Sequence, residues 1–222
     1  MLSFFKGYKI FAIVFIIISI VIISIIYNTL NVYQPLPIYQ PTMVSTELVD
    51  STIQYQKKYH KIADFSLTNQ NGKTITQNDY KDKIYVVDFF FTTCQTICPI
   101  MTSNMVDIQK EIINDDDVML LSHSVTPEID SVAQLKRYAL KKGVNDKKWN
   151  LVTGDKKEIY KLARKSYLAV KDNGDGGPFD MVHTENFMLI DKKRQIRGYY
   201  DGTNSEDINR LLNDIAILKE EY

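Results

Sequence analysis

Two cysteines and three histidines are the residues of this 222-residue chain best suited to soft-metal or redox chemistry. Cys94 and Cys98 are the only cysteines and stand four apart in TTCQTICP. They follow a run of β-branched and aromatic residues and precede a proline that suits the first position of a helix. A helix N-terminus offers unpaired N–H groups and about half a positive charge, which favours thiolate over thiol. If the helix begins within the motif, the i, i+4 spacing puts both sulfurs on one side of the turn, near enough to share a ligand or form a disulfide. A structural disulfide there would close so short a loop that it adds little stability on chain-entropy grounds. His183 is the candidate third donor, because it follows the Gly/Asp-rich stretch KDNGDGGPFD and directly precedes a strand. A loop of that composition is expected to swing the imidazole toward the sulfurs. Two thiolates and an imidazole suit Cu(I) in a three-coordinate site, or Cu(II) with added oxygen ligands. Zn2+ accepts the same donors. Without metal, Cys94 and Cys98 would be catalytic in thiol–disulfide exchange with a partner's cysteines. A thiol peroxidase needs an arginine beside its cysteine, and none occurs before Arg137.

The remaining candidates have blander readings. His60 is expected at the surface or in packing, and His123, inside a strand, as a hydrogen-bonded structural histidine. Met101 and Met105 lie i, i+4 and read as core packing. Asp180 and Glu185 flank His183 and read as solvated loop acids. Asp172 and Asp175 lack the spacing of a calcium loop and read as a hinge. Asp115 to Asp117 read as a solvated turn, and Lys141, Lys142, Lys147 and Lys148 as surface charge or, alternatively, a docking patch for an acidic partner.

The elements that must position these residues alternate between strand and helix. Asn71-Gly72 marks a hairpin between two short strands. IYVVDFFF (84–91) is the continuous apolar run of a central strand covered on both faces. A helix is expected to begin at Pro99 and run through 113, followed by a strand over 118–125 and a helix started by Pro127 and Asp130 that stops at Gly143. A strand over 149–154 leads to a helix capped by Asp155 and running through Leu168. Two strands, 186–191 and 196–200, and an amphipathic helix over 205–219 complete the pattern. Strand–helix–strand units followed by a hairpin and a helix predict an α/β fold with a mixed central sheet.

The N-terminus is different in kind. Residues 10–27, IFAIVFIIISIVIISIIY, carry no charge, and about 20 apolar residues in a helix cross a bilayer. Lys6 and Lys9 precede the run, and no Lys or Arg follows until Lys57. The positive-inside bias then puts residues 1–9 in the cytoplasm and the soluble part outside it, in the periplasm if the source is bacterial. The expected organisation is a cytoplasmic stub (1–9), a transmembrane helix (10–27), a linker (28–59) whose YQPLPIYQP stretch is an extended spacer, and a domain over 60–222. The 27 basic and 27 acidic residues cancel, which excludes a nucleic-acid binder that works by phosphate neutralisation.

FFTTCQTICPIM, with DMVHTENFMLID and the RGYYDGT that follows, resembles the SCO/SenC family of copper-binding assembly proteins, from about Lys61 to the C-terminus and including the membrane anchor. The resemblance implies a thioredoxin-like fold. It also implies a role in delivering copper to the binuclear copper centre of a respiratory cytochrome c oxidase, or in reducing that centre's thiols. On this resemblance the copper ligands are Cys94, Cys98 and His183, and the partner is the copper-bearing oxidase subunit or its assembly factors. The chain departs from the family pattern at Gln95, where Pro is frequent, at Thr126, where an acid is frequent, and at Val182, where Asp is common.

Overall fold

A computed structural model describes residues 8–30, 35–49, 51–170, 177, 180–182 and 184–222. The chain separates into two compact units, residues 1–35 and 36–222. The first contains α1 (Lys9–Leu30), a 22-residue helix whose described side chains are almost all exposed. Among the described residues, no helix is long and apolar enough to cross a membrane.

The second unit is built on one seven-stranded sheet of order β2-β1-β5-β4-β3-β6-β7. Its strands are β1 (Ser66–Asn69), β2 (Thr74–Thr76), β3 (Ile84–Phe90), β4 (Val118–Ser124), β5 (Trp149–Thr153), β6 (Asn186–Ile190) and β7 (Ile196–Asp201). The helices are α2 (Cys98–Glu111), α3 (Val132–Lys142), α4 (Lys156–Lys161) and α5 (Ser205–Glu220). β3, β4 and β5 are parallel neighbours, while β6 and β7 on one side and β1 and β2 on the other are antiparallel. The α/β class and the mixed sheet are therefore as the sequence pattern predicts.

β3 is central because all seven of its residues are buried, and strand pleating sends alternate side chains to opposite faces. Ile84, Val86 and Phe90 join one apolar cluster with residues of α2, α3 and α5. Tyr85, Val87 and Phe89 join the other, with Ile159, Tyr160 and Leu162 from the α4 region. Local signals set several boundaries. Gly72 (φ 74°) turns the β1–β2 hairpin, and Gly143 (φ 78°) ends α3 in the left-handed conformation that glycine adopts without penalty. The Ser131 hydroxyl and the Asp155 carboxylate accept N–H groups at the starts of α3 and α4.

Three features differ from the sequence reading. The linker expected over 28–59 is packed on the sheet from Leu36 onward: Val49 is buried, Tyr39 and Ile53 pack against the same cluster, and Tyr39 N–H donates to Ile196 O at 2.8 Å. The α-helix expected through Leu168 stops at Lys161 and continues as a wider π turn over Leu162–Ser166. Four of those five residues are buried. Lys148, expected at the surface, is buried, with its ammonium donating to Asp115 O at 2.5 Å.

Candidate metal centre

The two sulfurs sit where β3 gives way to α2, at the carboxyl ends of the parallel strands. The chain leaves Phe90 and tightens at once, Cys94 N–H donating to Phe91 O at 3.3 Å. α2 starts at Cys98, one residue earlier than expected, with Pro99 in its first turn. Ile97, at the capping position, has no side-chain acceptor to offer. The sulfur of Cys94 fills that role, accepting Cys98 N–H at 3.4 Å. Helix N-terminus and cysteine pair are thus one structure, and both cysteines are free thiols.

Their environments are opposite. Cys98 is buried, and that burial, together with its hydrogen bond to Cys94 and the nearby Cys94 and Asp88 charges, pushes its thiol up to about 12. Cys94 is partly exposed. Desolvation pushes its thiol up, but this is outweighed by hydrogen bonds from Cys98 and Thr96, whose hydroxyl lies 3.6 Å from the sulfur, and it falls to about 7. An unperturbed thiol sits near about 8.5. Because the lowered value favours the anion, Cys94 is thiolate above about pH 7 and thiol below it. Alkylation of the reduced protein by iodoacetamide should therefore rise with pH to a half-maximum near 7, with Cys94 labelled and Cys98 spared by mass spectrometry. A half-maximum at 8.5 or above would remove the activating contacts.

Beneath the loop lies a carboxylate that sequence reasoning took for part of a helix start. Asp130 is fully buried. It accepts from Thr92 N–H (3.2 Å), Thr92 hydroxyl (2.5 Å), Ser124 hydroxyl (2.6 Å) and Thr126 hydroxyl (3.1 Å). Thr92, two residues before Cys94, is held further by Gln134 Nε2 at 2.9 Å. Buried carboxylates require such donors, and the hydroxyls clustered at the ends of β3 and β4 were the available signal. Thr126, the departure from the family's acid, is one of them. Asp88 was also missed. It lies on the α2 side of β3, and burial outweighs a hydrogen bond from Ser122 to push its carboxyl up to about 7.

Of the other candidates, His183 lies outside the described residues, as do Asp172 and Asp175. Among the described residues, no group of three His, Cys, Asp or Glu side chains is arranged to hold a metal. His60 is buried, its Nε2 2.7 Å from Ser166 O. His123 is not hydrogen-bonded as expected: neither ring nitrogen has a partner among the described residues. Its ring stacks on Phe89 at 5.1 Å, and burial drives it down to about 3, so it is a neutral aromatic filler. Asp180 is no solvated acid: Arg164 grips it with two hydrogen bonds of 2.7 and 2.6 Å, and both side chains are about nine-tenths buried. Met101 and Met105 are fully buried in the core.

A mixed α/β sheet that delivers a free cysteine pair to a helix N-terminus defines a thiol-bearing domain of the thioredoxin-like kind. The SCO1/SenC profile matches residues 53–219, and the chain belongs to the SCO1/SenC family. It is similar to a SCO1/SenC family lipoprotein from Bacillus anthracis, at 32% identity and TM-score 0.64, covering 74% of this chain and 98% of that one. It is similar to BsSco, a member of the Sco family of cytochrome c oxidase assembly proteins in which a disulfide switch was identified, at 31% identity and TM-score 0.60, covering 71% and 93%. The copper-bound ScoI of Bradyrhizobium japonicum is 28% identical with TM-score 0.55, covering 70% of this chain and 99% of its own.

Proposed function

We propose that the protein is a membrane-anchored copper metallochaperone for the binuclear copper centre of cytochrome c oxidase, carrying the ion on Cys94, Cys98 and His183. The observation that carries this reading is the free pair itself, with Cys94 Sγ 3.4 Å from Cys98 N at the head of α2. Two soft sulfurs within hydrogen-bond reach of each other at one helix start suit Cu(I), and the relative from Bradyrhizobium japonicum holds copper. Copper is cargo here. Cys98 would retain it from the buried side, while the accessible Cys94 is where a partner's thiolate enters and takes the ion by ligand exchange. Residues 10–27 would serve as the anchor. Their uncharged length and the flanking Lys6 and Lys9 support a single span with the domain outside the cytoplasm.

A second reading, thiol–disulfide exchange with a respiratory partner, is favoured by the split acidities. A thiol at about 7 is the attacking group, and one at about 12 is held in reserve to resolve the mixed disulfide. Anaerobic titration of the reduced full chain in detergent with Cu(I) and Cu(II), followed by sulfur-to-copper charge-transfer absorption, separates the two. One tightly bound copper, weakened in His183→Ala while the thiols still exchange with a disulfide, is the expected result. Unchanged affinity in His183→Ala would reject the three-donor site, and no copper bound by the wild type would leave the redox reading.

A further inference from the structure

A cleft of about 360 Å3 opens beside the exposed sulfur, with Cys94 and Gln95 on one wall and Arg137, Tyr138, Lys141 and Lys142 of α3 on the other. No carboxylate lines it among the described residues. Elsewhere on the domain, lysines near acids are paired, as Lys136 with Asp146 at 2.9 Å and Lys192 with Asp117 at 2.9 Å. Among the described residues, the three cleft cations have no acidic partner. Arg137 donates to the neutral Gln134 side chain at 2.7 Å, and the Lys142 ammonium stands 5.6 Å over the Tyr138 ring. Lys141 and Lys142 occupy the last turn of α3 and offset its dipole, but Arg137, mid-helix and exposed, has no such duty. Uncompensated charge of one sign on the walls of a depression focuses its field into that depression, and this one ends at the reactive sulfur.

We infer that this cleft is the docking site for the partner, and that the segment it receives is an acidic stretch of protein flanking the partner's acceptor cysteine. The inference rests on the proposed reading that Cys94 passes copper or electrons to a partner's thiols. Either transfer brings the partner's sulfur to Cys94, so the residues beside that sulfur must enter the cleft and face three cations that no acid neutralises among the described residues. A bilayer surface carries negative charge too, but a flat surface cannot deliver a thiol into a depression.

The test uses three peptides identical except that glutamate, glutamine or lysine flanks a central cysteine, each cysteine blocked as its mixed disulfide with thionitrobenzoate. The Cys94 thiolate attacks the peptide sulfur, the peptide–thionitrobenzoate S–S bond breaks, a protein–peptide disulfide forms, and coloured thionitrobenzoate leaves. With the reduced full chain in detergent at low salt, the glutamate peptide should react about tenfold faster than the lysine peptide, a ratio that falls below about twofold at high salt. The ratio should also collapse in Arg137→Gln/Lys141→Gln/Lys142→Gln. It should persist in Lys57→Gln/Lys58→Gln/Lys157→Gln, which removes as much charge from exposed positions elsewhere. Equal rates in the wild type, or a preference that survives the cleft variant, would overturn the inference. So would phosphatidylglycerol vesicles blocking all three peptides alike while phosphatidylcholine vesicles do not. Copper titration of the same preparation keeps the two claims apart: acid preference without copper binding sinks the copper reading alone, and copper binding without acid preference sinks the cleft alone.

Discussion

Cys94→Ser and Cys98→Ser should each abolish stoichiometric copper binding, seen as loss of the sulfur-to-copper charge-transfer band in an anaerobic titration. A serine hydroxyl is neutral at working pH and a hard donor, so either change leaves one thiolate to hold a soft ion. Losing a residue that only orients a ligand costs about 10–100-fold in affinity, and removal of a ligand itself should exceed that range. Cys94→Ser is the cleaner variant. Its hydroxyl can still accept Cys98 N–H, as serine does at helix starts, so α2 should keep its first turn and circular dichroism should match the wild type. A wild-type band and stoichiometry in either variant would take that sulfur out of the site.

Arg197→Met should produce the largest loss of stability. Arg197 is 3% exposed and Asp191 0%, at the β7 side of the sheet far along the chain from the cysteines. Its guanidinium donates to Asp191 at 3.2 Å, to both Glu221 oxygens at 2.7 and 2.6 Å, and to the Leu36 and Pro37 carbonyls at 2.6 and 3.1 Å. Methionine preserves most of the apolar stem but strands two carboxylates with no cation between them. Removing one partner of a buried ion cluster costs about 3–5 kcal/mol. Urea unfolding followed by Trp149, the single tryptophan and fully buried on β5, measures the loss. A change below about 1 kcal/mol would mean the cluster contributes no net stability.

The contrast between these two sites shows what a sequence displays. The cysteine motif is short and local, so its position ahead of α2 could be read from Pro99 and the apolar run before it. β3 was legible for the same reason, as were the Asn71-Gly72 hairpin and the stop at Gly143. Interactions joining distant stretches were not. Arg197 reaches 160 residues back to Pro37, and the packing of Val49 and Ile53 on the sheet has no local periodicity to announce it. Asp130 looked like one more acid near a helix start, and only the meeting of Thr92, Ser124 and Thr126 around it shows that it faces inward. Lys148 and Asp180 misled in the same way, because residue type indicates a preference for water and says nothing of a buried partner.

The cluster at Arg197 also closes the domain on itself. Leu36 N–H donates to Glu221 Oε1 at 3.0 Å, so the domain's first packed residue and its last helix meet at one point. Chains whose ends adjoin tolerate circular permutation and insertion. A short splice from Tyr222 to Leu36, with new ends cut at the exposed Asn71-Gly72 bend, would thread the same sheet in a different order. The sulfur-bearing loop would then follow the new N-terminus by about 20 residues, with β3 and α2 still joined directly through it.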